Sequence, residues 1–229
     1  MRLLPSTAVK ERRLATLLEE QGLRADDAGL AGVVEDAQLL GSLELAGLRF
    51  TWDEVRSSRL SGEGPSEVLA HRRARSVVGV HAPFTVAAIR AWHEALVGPV
   101  GFRREERPRE GAPAAPPDRI ESRLDSLADW VEVAGMRDLA PDQAAAVALA
   151  RLVEILPFDD ANGRVSRLAA SHLMVRAGMR PPILVAGDAA RLRAALESAF
   201  RLETESLVAL LGEASGRALD VMIQSLSGR

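Results

Sequence analysis

Apolar residues recur along most of this chain at three- and four-residue spacing, the period of helices with one buried face. Leu14, Leu17 and Leu18 mark the inner face of a first helix, with Ser6 placed to cap it and Gly22 to end it. Leu30, Val33, Val34, Ala37 and Leu40 predict a second helix over 25–40, closing near Gly41. Thr51-Trp52-Asp53-Glu54 has the capping-box pattern, in which residues three apart satisfy each other's backbone N–H groups. Gly62-Glu63-Gly64-Pro65 is a turn, and helices are predicted over 66–79 and 84–96, the latter with Phe84, Ala88, Ile89 and Trp92 on one face.

Residues 99–119 break the pattern. Pro99, Gly101, Pro108, Gly111, Pro113, Pro116 and Pro117 punctuate a charged stretch, which reads as a loop or small hairpin. It is longer than most connections inside a compact domain, and long loops are where function concentrates. From Pro117 the helical period resumes through Val133, with Ile120, Leu124, Leu127 and Val131 on its face. Pro141 opens a helix, 142–156, that is apolar on nearly every side and is therefore expected at the centre of the fold. A short loop, Pro157–Asn162, leads into a helix from Gly163 to Ala177, and Pro181 and Pro182 block its continuation. Helices over 188–211 and 216–227 complete the chain.

Composition narrows the class. Leu, Ala, Arg and Glu are abundant and tyrosine is absent, which favours an all-α fold. A net charge of −3 gives no electrostatic case for nucleic-acid or membrane binding. The basic cluster His71-Arg72-Arg73-Ala74-Arg75 reads as the solvated face of a helix. The absence of cysteine excludes disulfides, zinc–thiolate sites and thiol catalysis, and fits a reducing compartment. Neither a leader-like start nor an apolar run of about 18 residues is present, so a cytoplasmic protein is expected.

The chemistry-bearing stretch is Leu156-Pro157-Phe158-Asp159-Asp160-Ala161-Asn162-Gly163-Arg164-Val165-Ser166-Arg167. A buried helix stops at a proline, and a short loop turns into a new helix. That arrangement aims backbone N–H groups and a positive dipole end at whatever occupies the loop, which suits a phosphate. Arg164 and Arg167, three residues apart, share a helix face near that end. Cations are unfavourable there unless an anion compensates them. Asp160 is a hard oxygen ligand of the kind that holds Mg²⁺ beside phosphates. A capped helix with solvent-facing arginines explains the same residues without a ligand.

These twelve residues resemble the active-site loop of the Fic (Fido-fold) family, His-Pro-Phe-x-(Asp/Glu)-Gly-Asn-Gly-Arg-x-x-Arg. The catalytic histidine is replaced by Leu156, and Ala161 stands for a glycine. Alanine also occurs there in the family's Doc branch, whose members act as kinases, although that branch has lysine at the position of Gly163. Gly101-Phe102-Arg103 resembles the start of the family's flap, the hairpin that holds the target beside the site. The resemblance implies a helical Fic fold with a small β-hairpin flap at 99–119. It also implies an N-terminal helical region (1–80), a Fic core (81–187) and C-terminal helices (188–229). In the family the histidine deprotonates a target hydroxyl, which attacks the α-phosphate of ATP and receives AMP. By resemblance, Asp160 holds Mg²⁺; Ala161, Asn162 and Gly163 form an anion hole; and Asn162, Gly163, Arg164 and Arg167 bind nucleotide. Gly101, Phe102 and Arg103 would serve target docking.

Leu156 has no lone pair and cannot be the base. Ser42-Leu43-Glu44-Leu45-Ala46-Gly47 resembles the family's inhibitory segment, Ser-x-x-x-Glu-Gly, whose glutamate pairs with the second motif arginine. That glutamate position is Ala46, which would leave Arg167 free for phosphate. The resemblance therefore implies a nucleotide-binding protein without its base, presenting the flap to a partner protein. Residual or altered group transfer to a protein hydroxyl, and a partner-binding scaffold with a vestigial loop, are the alternatives. Homodimerisation is a family habit that no exposed apolar stripe here indicates.

Overall fold

The computed structural model describes residues 5–107 and 114–228, and the regular structure among these residues is helical, with no strand. Helix α1 (Pro5–Glu20) starts at the proline, whose missing N–H suits a first turn, so Ser6 lies inside the helix instead of capping it. Helix α2 (Ala28–Glu44) is capped by Asp27, whose carboxylate accepts from Gly29 N at 2.9 Å and Leu30 N at 3.1 Å. It continues through Gly41. A Cβ at that position would lie 2.0 Å from the Leu184 carbonyl oxygen, so the glycine serves close approach to residue 184 and not termination.

Helix α3 (Trp52–Ser61) opens with the expected capping box: Glu54 N donates to Thr51 Oγ1 at 3.2 Å and Thr51 N to the Glu54 carboxylate at 2.7 Å. Helices α4 (Ser66–Val77) and α5 (Val86–Val97) follow. Residues 99–107 and 114–116 run without a strand ladder, so the described residues do not form the expected hairpin. Pro108, Gly111 and Pro113 of that segment lie outside the described residues. A 3₁₀ turn (Pro117–Arg119) leads to α6 (Ile120–Trp130), which passes through a π turn (Val131–Gly135) into α7 (Met136–Asp138). Then come α8 (Pro141–Ile155), α9 (Asn162–Arg176), α10 (Ala189–Ala199) and α11 (Glu205–Ser227).

The final break falls at 200–204, not at 212–215. Leu202 takes a left-handed backbone there (φ 71°), while Gly212 stays helical. Gly216 is buried in α11 where α1 crosses it, and contact between the two helices outweighs the roughly 1 kcal/mol that a helical glycine costs.

Helix α8 is central, as its all-round apolar pattern requires. Ala144, Ala145, Ala146, Ala148, Leu149 and Leu152 are buried, and α9 answers with buried Ala169 and Ala170. Alanines on both helices let the two backbones approach closely. Trp92 of α5, Ile120 and Leu124 of α6, and Leu207 and Leu211 of α11 complete this core. The N-terminal helices add two smaller clusters, Leu14, Leu30 and Val34 against Leu219 and Met222, and Leu39 and Leu43 against Val55 and Val68.

The cluster 71–75 is not a solvated face. Asp36, fully buried on α2, accepts from Arg72 at 2.5 Å and Arg59 at 2.9 Å, and Arg75 pairs with Glu35 at 3.2 Å. His71 and Ala74 are buried, which leaves only Arg73 exposed among the five. A buried carboxylate needs cations close by, and α4 supplies one of them.

Candidate nucleotide-binding site

Leu156 caps α8 in the left-handed region (φ 52°, ψ 61°) and is half-buried. A side chain with Cβ crowds the following carbonyl in that conformation, at a cost of about 1–2 kcal/mol. Ala161, buried at the start of α9, is a second left-handed residue (φ 63°), at the position where the motif has glycine.

Between these two residues the loop is closed by a side chain. Phe158 N donates to Asn162 Oδ1 at 3.0 Å, and Asn162 Nδ2 donates back to Phe158 O at 2.7 Å. Both ends of the Asn162 amide are thus engaged inside the loop. The Phe158 ring is buried, stacks on His93 with centroids 3.7 Å apart, and tilts against Phe102 at 5.6 Å. The ring nitrogens of His93 meet no hydrogen-bond partner among the described residues, and burial holds its pKa below the usual value.

The two motif arginines part company. Arg164, nearly buried, reaches the exposed Asp160 carboxylate at 3.4 Å. Arg167 turns toward α2: Nε donates to Ser42 Oγ at 3.0 Å and Nη2 to Ser42 O at 2.7 Å. Gly163 lets the Arg167 guanidinium lie over the backbone, because a Cβ there would meet Nη1 at 3.1 Å. Among the described residues Arg167 pairs with no carboxylate. Burial, with the positive charge of Arg164 second, pushes its pKa down to about 10. Arg167 is therefore not free, as the loss of the inhibitory glutamate had suggested; the serine of the same segment holds it. Ala46 and Gly47 are exposed beyond the end of α2, with Gly47 left-handed (φ 79°). A cavity of about 20 Å³, room for about one water, lies among Ser42, Arg167 and the buried His71. The His71 ring nitrogens also lack partners, and burial followed by the Arg167 charge pushes its pKa down to about 3.

Residues 103 and 107 of the segment 99–119 meet the loop. Arg107 Nη2 meets the Asp159 carboxylate at 3.0 Å, and Arg103 N donates to Pro157 O at 3.0 Å. Of the three residues assigned to target docking, Gly101 is exposed, Phe102 is half-buried and Arg103 is buried, its guanidinium turned inward onto carbonyl oxygens. Sequence reasoning missed this orientation, the stack beneath Phe158 and the unpartnered His71. None of them carries a periodic signal, since each depends on which segments meet.

Helix α8, the closed loop and the arginine-bearing start of α9 form a helix–loop–helix within a helical fold that solved Fic-domain proteins share. A Fic-domain-containing signalling protein of Bacteroides thetaiotaomicron superposes with a TM-score of 0.78 at 20% identity, covering 98% of each chain. Residues 83–174 match the family model described as Fic/DOC family, and this segment is a Fic/DOC-family domain. The chain is 34% identical over 98 residues to a uridine 5'-monophosphate transferase of Xanthomonas campestris, a match covering 41% of this chain and 18% of that protein. It is 34% identical over 83 residues to protein adenylyltransferase fic-1 of Caenorhabditis elegans, covering 36% of this chain and 16% of that protein. The chain thus spans less than a fifth of the length of either relative. No helix among the described residues is long and apolar enough to cross a membrane.

Proposed function

We propose that this protein binds a nucleoside triphosphate at the start of α9 and does not efficiently transfer it, acting instead as a nucleotide-dependent partner of another protein. The observation that carries the reading is the pairing of an intact loop with an aliphatic residue at its head. Asn162 closes the loop, Arg164 and Arg167 follow it on α9, and Leu156, the C-cap of α8, stands at the motif position that resembles the family's histidine. An alkyl side chain cannot accept the proton of an attacking hydroxyl, and general-base help is worth about 10²–10⁴ in rate.

Asp160 would hold Mg²⁺. Among the described residues no group of three or more His, Cys, Asp or Glu side chains could hold a metal ion by itself. A lone exposed carboxylate fits Mg²⁺, which takes one or two carboxylates and completes its shell from phosphates and water. The ion, when bound, neutralises phosphate charge. Arg164 and Arg167 orient the phosphates, and the N–H groups at 161–163 receive an oxygen anion. A protein target docks along the segment 99–119. The similarity to both a uridylyl- and an adenylyl-transferring relative makes uridine as well as adenine nucleotides the ligands to test.

Calorimetry with Mg-ATP and Mg-UTP tests the reading, with Arg167→Ala as control. Micromolar binding, about −8 kcal/mol, that disappears in the control is the expected result. Unchanged affinity in Arg167→Ala refutes the site, and no binding of either nucleotide leaves the fold as a scaffold. Labelled nucleotide transferred to a partner by the unaltered chain would instead establish residual transfer.

A further inference from the structure

Arg103 is among the largest fully buried side chains, and every acceptor around it is a backbone carbonyl. Nε donates to Leu156 O at 2.6 Å, Nη1 to Glu105 O at 2.7 Å, and Nη2 to Ile155 O at 3.3 Å and to Ala115 O. Ile155 and Leu156 close α8, where carbonyls lack helical partners and the dipole end attracts a cation. Glu105 and Ala115 lie on the two limbs of the segment 99–119, one on each side of residues 108–113. One guanidinium therefore ties both limbs to the end of α8 and the head of the loop. Only a rigid fork of five donors can serve four carbonyls from three segments; an ammonium on the same stem cannot. Phe102 and Arg107 also touch the loop, but both belong to the first limb.

We infer that Arg103 is the positioning residue that makes the two described limbs, 99–107 and 114–119, one cooperative unit with the phosphate loop, so that occupancy of the loop steadies both limbs. The ligand-dependent half rests on the nucleotide reading above. Two amides report on it: Arg103 N–H, bonded to Pro157 O, and Phe158 N–H, bonded to Asn162 Oδ1.

Hydrogen exchange on the full chain, with and without Mg-ATP, should slow both amides by the same factor. In Arg103→Lys the nucleotide should still slow Phe158 N–H but not the amide at 103. The ratio of the two rates should open by about tenfold, the effect of roughly one hydrogen bond to a charged group. Unchanged exchange at Leu149 in mid-α8 shows that the variant remains folded. Coupled slowing that survives Arg103→Lys overturns the inference, as does slowing confined to Phe158 in the unaltered protein. If Mg-ATP slows neither amide, the nucleotide reading fails, and the inference is judged on the unliganded chain. There the two amides should open together, within about twofold, and separate in Arg103→Lys; independent opening overturns it. If Arg103→Lys does not fold, the same comparison in the unaltered chain decides.

Discussion

Removing the Ser42 hydroxyl should destabilise the protein and tighten its hold on nucleotide at once. Ser42 Oγ accepts from Arg167 Nε at 3.0 Å, and Ser42 is buried. A hydrogen bond to a charged donor contributes about 1.5–3 kcal/mol. The neighbouring 20 Å³ cavity can admit a water to replace part of that. Ser42→Ala keeps the backbone carbonyl that accepts from Nη2, so a loss of about 1–2 kcal/mol remains, a factor of about 5–30. If a phosphate takes over the guanidinium, the lost contact belongs to the free state alone. The same energy then reappears as affinity. Urea melts should show the destabilisation, and calorimetry should show a Mg-ATP Kd tighter by about 5–30-fold. In an Arg167→Ala background both effects should vanish. A protein that loses stability with no change in Kd would mean that Arg167 keeps Ser42 when nucleotide binds, and that the phosphate site lies elsewhere.

Leu156→His should relieve the left-handed backbone, which histidine tolerates better than leucine. It should also raise nucleotide transfer by about 10²–10⁴-fold, read as labelled nucleotide on a protein acceptor; intact binding without transfer would show that more than the base is missing. Gly41→Ala puts a Cβ 2.0 Å from the Leu184 carbonyl oxygen, and should lower the unfolding free energy read from urea melts by about 1–3 kcal/mol; no change would refute the tight approach. His71 is held neutral when folded, with its pKa near 3 against an ordinary 6.5. The unfolded chain therefore binds a proton in this window that the folded chain refuses. Stability is full above about pH 6.5 and falls toward pH 3, with a slope approaching about 1.4 kcal/mol per pH unit. His71→Leu should flatten that slope in acid melts, and an unchanged slope would contradict the burial of the ring. His93 and His172, both also shifted down by burial, should contribute to the slope that remains, joined below about pH 4.5 by carboxylates held low in the folded chain, such as Glu213 by its hydrogen bond from Arg191.

The central helix pair was legible because α8 is apolar on nearly every side and both helices are bounded by proline and glycine. The Thr51 capping box was legible because its two residues sit in fixed register. What failed depended on tertiary contact. Gly41 and Gly212 look like stops until the packing of α2 and α11 is known. The basic residues at 71–75 look solvated until Asp36, placed by the neighbouring helix, draws Arg72 inward. At the site, the motif named the residues that meet at the start of α9. It could not say that Arg167 would turn to Ser42, or that Arg103 would face inward, because those partners lie 125 and about 50 residues away.

The amide of Asn162 has a consequence for how such a site can change. It fixes the curvature of 158–162 through two hydrogen bonds that involve neither Leu156 nor any ligand. Shape and reactivity are thus written at separate positions of one twelve-residue stretch. On the function proposed above, a lineage can discard the proton acceptor without unmaking the loop beneath it, and a single codon can return the one without rebuilding the other.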